Sequence, residues 1–257
     1  MTDAPVTAGV IVVAPHPDDE VLGCASVLHR AAATVIHVTD GVPPWTAAAA
    51  RDEFRSARQA ESVRAWECLS SQVEVCQLGF GDLTAWQAVE DISDSLCEVI
   101  GSSRAPDVYL PAYQRGHPDH DATYLAGAIA RDRLVSESGR RWWVYGLYGF
   151  DAARRLRFGW LPPQAYGRSR VQGDRSDALR VKDQALRQFS SQLWPGSALD
   201  LWLSAPVAEE VAPLPVRWDA LPALPFFYDE QLNFGRHGAS ASAVESSFRR
   251  VLAARVP

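Results

Sequence analysis

An α/β fold with a doubly wound, mostly parallel sheet is what this sequence predicts, together with an irregular C-terminal elaboration over the active-site end of the sheet. Three observations predict it. Short, continuously apolar runs such as Val10-Ile11-Val12-Val13-Ala14 have the pattern of strands covered on both faces. They alternate with segments of helical periodicity, the order that winds a parallel sheet through right-handed crossovers. Two histidine-aspartate clusters, Pro15-His16-Pro17-Asp18-Asp19-Glu20 and Gly116-His117-Pro118-Asp119-His120-Asp121, each follow a strand, where α/β proteins place their sites.

The elements follow in order. After the strand at 10–14, the segment 21–33 reads as a helix and 34–39 as a second strand. Residues 40–46 carry Gly41, Pro43 and Pro44 and form a loop. From 47 to 69, Phe54, Ala57, Ala65, Trp66 and Leu69 give a loose apolar face, which predicts a long helix. Val73, Val75 and Cys76 to Leu78 come closer to alternation, as suits a strand at a sheet edge. Trp86, Val89, Ile92, Leu96 and Val99 recur every three or four residues and mark the clearest amphipathic helix. A strand at 107–110, a helix through Leu125, Ile129 and Leu134, and a strand at 143–148 complete a Rossmann-like βαβαβαβαβ series.

Beyond Phe150 the pattern loosens. Residues 177–189 predict a helix, whereas 193–225 hold six prolines along with Trp194, Trp202 and Trp218 and read as irregular strands and loops over one end of the sheet. One domain spanning 1–257 is expected, with the parallel-sheet core and both clusters in 1–150 and a substrate-shaping elaboration in 151–257.

Composition narrows the function classes. The 257 residues are 47% hydrophobic and 22% charged, an ordinary globular balance. A net charge of −6 argues against nucleic acid as a partner, and the arginines at 154, 155 and 157 read as a solvated surface. Cys24, Cys68, Cys76 and Cys97 are scattered without a C-x-x-C pair, which disfavours both a disulfide framework and a zinc finger. The start of the chain lacks the marks of a signal peptide, and no apolar run approaches the roughly 18 residues of a membrane span. A cytoplasmic protein without stable membrane insertion is expected, and a homo-oligomer stays open.

The two clusters carry the chemistry. Imidazole and carboxylate are good ligands for zinc or a similar divalent ion, and a catalytic site keeps an open position for water. His16 and Asp19 lie three residues apart across a strand-to-helix turn, and His117 and His120 repeat that spacing with Asp119 between them. With strand order 3-2-1-4-5, the first and fourth strands are neighbours and both clusters meet at the topological switch point. Either cluster alone could equally complement a helix dipole in a first turn. The coincidence of two favours a site, and it uses three of the six histidines. Of the others, His29 lies late in a helix, His37 reads as a satisfied core residue, and His237 sits in a loop that is a candidate for lining the site.

At these residues the chain resembles the PIG-L/LmbE-like family of metal-dependent N-acetylglucosaminyl N-deacetylases, whose hallmarks are A-H-P-D-D-E near the N-terminus and a later H-P-D-H. The first motif here is Ala14-Pro15-His16-Pro17-Asp18-Asp19-Glu20, with one extra proline, and the second is intact. Arg58-Gln59-Ala60-Glu61 is similar to the family's R-x-x-E helix and Leu78-Gly79-Phe80-Gly81-Asp82 to its L-G-x-x-D turn, while 182–192 resembles a late helix ending in Ser-Gln. The resemblance implies that His16, Asp19 and His120 bind a metal, usually zinc. It further implies that Asp18 is the general base and that His117 stabilises an oxyanion or protonates the leaving amine, with Asp119 orienting it. Arg58, Tyr113 and Arg115 are candidate substrate contacts. Arg58 could equally be a surface helix residue, and Arg115 would favour an acidic substrate group.

The expected reaction is hydrolysis of an N-acetyl group from an amino sugar or its glycoconjugate. Alternatives are a related amidase acting on a thiol-sugar conjugate and a non-catalytic metal- or sugar-binding protein. A nucleotide-dependent enzyme is disfavoured, because Pro-His-Pro-Asp-Asp stands where G-x-G-x-x-G belongs. Tryptophans after residue 140 are candidates for an apolar substrate platform, and most large aromatics are core.

Overall fold

The computed structural model describes residues 9–69, 71–134, 139–171, 175–204, 209–219, 221 and 234–255. The core is the predicted doubly wound sheet. Strands β1 (Val10–Ala14), β2 (Ala33–Thr39), β3 (Val73–Phe80), β4 (Asp107–Pro111) and β5 (Arg141–Tyr145) run parallel in the order β3-β2-β1-β4-β5. Helices α1 (Asp19–Leu28), α2 (Arg51–Cys68), α3 (Val89–Ser102) and α4 (Pro118–Leu134) cross between them. β1 shows why apolar runs mark central strands: Ile11 and Val13 join the core built with α3 and α4, while Val10, Val12 and Ala14 join the core under α1. As the weaker alternation of its sequence predicts, β3 takes a sheet edge.

The boundaries depart from the sequence reading in three places. α1 begins at Asp19 rather than at 21, because the Asp18 carbonyl already accepts Val21 N at 3.0 Å and Leu22 N at 2.9 Å. β5 begins at Arg141, whose guanidinium grips Asp107 on β4 at 2.7 and 2.5 Å, and ends at Tyr145 rather than at 148. The chain then packs Gly146 against the backbone of Trp160 and forms a separate hairpin of β6 (Tyr148–Phe150) and β7 (Leu156–Phe158).

The third departure is in the C-terminal region. Short helix α5 (Pro163–Tyr166) and strand β8 (Arg170–Val171) precede α6 (Arg175–Leu186), which matches the predicted late helix. The segment read as irregular cover holds α7 (Ala198–Ser204) and β9 (Glu210–Pro213), and β9 pairs antiparallel with β5. β9 therefore extends the sheet, with β8 beyond it. Helix α8 (Ala241–Ala253) packs Val244 and Phe248 into the core shared with α3 and α4.

A buried charge pair holds α1 to this region. Cys24 has non-helical φ/ψ, so the helix is kinked beneath the site. At the kink the Leu22 carbonyl accepts Lys182 Nζ, and Ser26 N donates to Glu209 Oε2 at 3.0 Å. Lys182 and Glu209 face each other at 3.4 Å with both side chains buried. The pair thus satisfies backbone groups as well as its own charges, and an apolar pair of similar volume could not do so. Lys182→Ala should lower the unfolding free energy by about 3–5 kcal/mol in urea titrations. The Lys182→Met/Glu209→Leu double variant should stay destabilised; parental stability in that variant would show that the kink has other partners.

Candidate active site

β1 and β4 pair directly, with Val10, Ile11 and Val12 opposite Asp107, Val108 and Tyr109. The chain leaves β1 toward β2 and returns from β3 to β4, so a crevice opens between the C-terminal ends of β1 and β4. Both histidine-aspartate clusters fall there.

In the first cluster, Asp19 Oδ2 accepts from His16 N at 3.0 Å and lies 2.9 Å from His16 Nδ1. The same oxygen is 3.2 Å from His120 Nε2 of the second cluster. His16, Asp19 and His120 are all buried. His120 Nε2 makes no hydrogen bond among the described residues, although it sits beside an anion. Donor atoms arranged around one zinc ion at bond lengths of 2.0–2.1 Å lie about 3.3 Å apart. The spacing and the unbonded buried nitrogen therefore fit a cation held by His16 Nδ1, Asp19 and His120 Nε2. His16, His117 and His120 also group tightly enough to share an ion. His117 Nδ1, however, accepts from Asp119 N at 3.2 Å, and Asp19 is the anion that touches both other rings.

Asp119 has a different position from the one read in the sequence. Its carboxylate is held by backbone amides and faces His16. Oδ2 accepts Leu83 N at 2.6 Å and Oδ1 accepts Ala85 N at 3.1 Å, and Oδ2 faces His16 Nε2 at 3.2 Å. Asp82 Oδ1 lies 3.4 Å from the same nitrogen. His16 thus turns one nitrogen to the ion position and the other to two acids, the arrangement that fixes the tautomer and basicity of a ligating histidine. Burial works against charge on His16, but Asp82, Asp119 and Asp19 together raise its pKa well above 6.5. It is the backbone of Asp119 that orients His117, and accepting at Nδ1 leaves the ring proton on Nε2. Burial and the neighbouring His16 and His120 push the His117 pKa well down, so its ring is neutral.

Asp18 occupies strained backbone, with φ 142. Its N–H donates to Glu20 Oε2 at 3.0 Å, and its carboxylate lies 3.3 Å from the Arg58 guanidinium, which also donates to Pro17 O. Arg58 is buried, so the surface-helix reading fails, and its work is to clamp the Pro17-Asp18 turn. Burial pushes the Asp18 carboxyl up to about 8, with Arg58 opposing the shift. Glu20, wholly buried, also accepts Trp66 Nε1 at 3.0 Å and faces His37 Nε2 at 3.3 Å; His37 in turn meets Gln77 at 2.9 Å. His37 is therefore the satisfied core residue its sequence context predicts. Glu61 takes Ser190 Oγ at 2.8 Å and Ser191 Oγ at 2.6 Å, fastening α2 to the turn after α6.

An open cavity of about 730 Å³ lies over these groups. His16, Asp18, Asp19, Arg58, Asp82 and His117 line its floor; Leu22, Leu83, Tyr148 and Leu199 are among its walls, and Trp45 and Trp194 also line it. Tyr113 and Arg115, read as substrate contacts, do not line it. Tyr113 is buried against Tyr124 and Phe248, and the Arg115 guanidinium reaches Glu245 on α8 at 3.5 Å. Asp121 accepts Gln114 N at 3.1 Å and Arg115 N at 3.0 Å and so directs that loop away from the floor. Gly116 permits the approach of the second cluster to the hairpin, since a Cβ there would fall 1.8 Å from Tyr148 O.

Residues 11–130 match the PIG-L family, described as GlcNAc-PI de-N-acetylase. This segment is a PIG-L domain. Its two ends fall within β1 and α4, so the match covers both clusters and the turn bearing Asp82. None of the curated proteins matches the chain in sequence. Among solved structures, the PIG-L domain and its C-terminal region are similar in fold to the zinc-inhibited form of a teicoplanin deacetylase. That match has 21% identity and a TM-score of 0.59 and covers 79% of this chain and 97% of the other. An antimicrobial pseudoaglycone deacetylase is similar at 20% identity and TM-score 0.58, over 81% and 97% of the two chains. N,N'-diacetylchitobiose deacetylase from Pyrococcus horikoshii is similar at 18% identity and TM-score 0.50, over 91% and 80%.

The sequence reading missed Asp82, Tyr148 and Trp45 as site residues. Asp82 follows β3 and was open to the same strand-end logic as the clusters. Tyr148 and Trp45 lie in connections that carry no motif. His237, in a 3-10 turn at 234–237, packs against Trp45 with ring centroids 4.6 Å apart and planes tilted by 47°. Glu20→Ala removes an acceptor from two buried donors and should cost about 2–5 kcal/mol in urea unfolding. Unchanged stability would mean that the Asp18 turn holds itself.

Proposed function

We propose that this protein is a zinc-dependent hydrolase that removes an N-acetyl group from an amino sugar or its glycoconjugate, releasing acetate and a free amine. The observation that carries the reading is the convergence of His16 Nδ1, Asp19 Oδ2 and His120 Nε2 at 2.9 and 3.2 Å beside Asp18, a carboxylate outside that set. The PIG-L match supports the reaction class, and the fold shared with sugar-derivative deacetylases is consistent with it.

A divalent ion held by His16, Asp19 and His120 supplies a Lewis acid for the amide carbonyl and makes a water acidic enough to be a nucleophile near neutral pH. With a divalent charge beside it to offset its burial, Asp18 would be ionised near neutral pH and would take the proton from the attacking water. Its strained turn, clamped by Glu20 and Arg58, aims the carboxylate at the floor without making it a ligand. Neutral His117, with its proton on Nε2, donates a hydrogen bond to the developing oxyanion and keeps that proton. Asp119 and Asp82 keep His16 oriented through its far nitrogen. The proton accepted by Asp18 goes to the amine, so water and amide balance acetate and amine.

Asp18→Asn should lower kcat on N-acetylhexosamine derivatives at least about 100-fold while metal content is retained. Acetate release measures this, and mass analysis of both products separates deacetylation from cleavage of a thiol-sugar conjugate. The reading is overturned if fully metallated protein releases no acetate from any derivative, or if Asp18→Asn is as active as the parent. Asp119→Ala should weaken zinc affinity by about 10- to 100-fold in competition with a chromogenic chelator. Unchanged affinity would separate Asp119 from ligand positioning.

A further inference from the structure

The cavity over the floor is lined by two tryptophans that are largely exposed, Trp45 at 57% and Trp194 at 52%. A single exposed apolar side chain needs no explanation, but two indoles on one cavity form an apolar patch of the kind that marks a ligand surface. They come from unrelated segments: Trp45 from the loop after β2, Trp194 from the turn that Glu61 fastens to α2. Leu22, Leu83 and Leu199 line the same cavity, as do the uncharged polar residues Gln192 and Ser197. Charge is confined to the floor. Arg58 is the one guanidinium among the described lining residues; its Nη2 donates to Pro17 O and lies 3.3 Å from Asp18, so its charge already faces a carboxylate.

We propose that the substrate carries an uncharged apolar extension, aryl or alkyl, joined to the acylated amino sugar, and that Trp45 and Trp194 hold it. The assignment rests on the deacetylase reading of the floor and names the substrate class of the same site. The polar floor takes the acylamino group and the indoles take the extension. His237, in the turn at 234–237, lies against Trp45 with ring centroids 4.6 Å apart and planes tilted by 47°, and so supports that indole.

The experiment compares kcat/KM for N-acetylglucosamine, its phenyl and octyl glycosides, its 1-phosphodiester and N-octanoylglucosamine. Calorimetry with phenyl glucosaminide, which has no amide to cleave, reads binding without turnover. The phenyl or octyl glycoside should exceed N-acetylglucosamine, and each of Trp45→Ala and Trp194→Ala should cut that ratio and the glucosaminide affinity about 3- to 10-fold. Trp45→Phe should keep most of both. Because the two indoles are exposed, these variants test contact rather than folding. A tryptophan-dependent preference for the glycosides puts the extension on the aglycone, and one for N-octanoylglucosamine puts it on the acyl group; both support the proposal. A preferred phosphodiester, or phenyl glucosaminide that binds no better than glucosamine and is indifferent to both substitutions, overturns it. If no substrate is hydrolysed while glucosaminide binding depends on the tryptophans, the deacetylase reading fails and the apolar subsite stands.

Discussion

Direct parallel pairing of β1 with β4 is the constraint on which the site depends. His16 and His120 are separated by more than a hundred residues, and they share Asp19 only because the strands that precede them are hydrogen-bonded neighbours. A strand inserted between them would add about 4.8 Å and part the donors beyond the reach of one ion. Neighbourhood follows from winding: the chain builds β2 and β3 on one side of β1 and returns to build β4 and β5 on the other. The crevice at that reversal is where peptide groups and helix starts converge on empty space.

Around this crevice the buried charges act mainly on the backbone. Glu20 holds the Asp18 N–H, Arg58 holds Pro17 O, Lys182 and Glu209 hold the kink of α1, and Asp121 holds the amides of Gln114 and Arg115. A buried ion pair on its own contributes little to stability. Here each charge compensates a backbone group that regular structure leaves unmatched, which lets the chain keep a φ of 142 at Asp18. The rigidity of the floor is thus distributed over α1, α2, α4, α6 and the segment before β9.

The cavity divides along its depth into a polar floor and an apolar surround. Reaction chemistry needs the first, since proton transfer and charge stabilisation require fixed polar groups. The second is built from the loop after β2, the β6-β7 hairpin and the turn after α6. Those connections are the parts of an α/β scaffold most free to change while the sheet stays constant.

Apolar runs, helical periodicity and the two clusters were enough to read the five parallel strands, their helices and the strand ends that form the crevice from the chain alone, because each is a local pattern. Strand order beyond β5 was not legible: β9 is four residues long and joins the sheet only through its partner β5. Side-chain roles were decided by tertiary structure for the same reason. The Asp119 carboxylate faces His16, Arg58 is buried under Asp18, and Arg115 is drawn to Glu245 on a helix more than a hundred residues away. Trp45 and Trp194 have no spacing that links them, and only folding sets both on one cavity. Sequence spacing determines which atoms can be near along the chain; which carboxylate meets which imidazole depends on packing across the sheet.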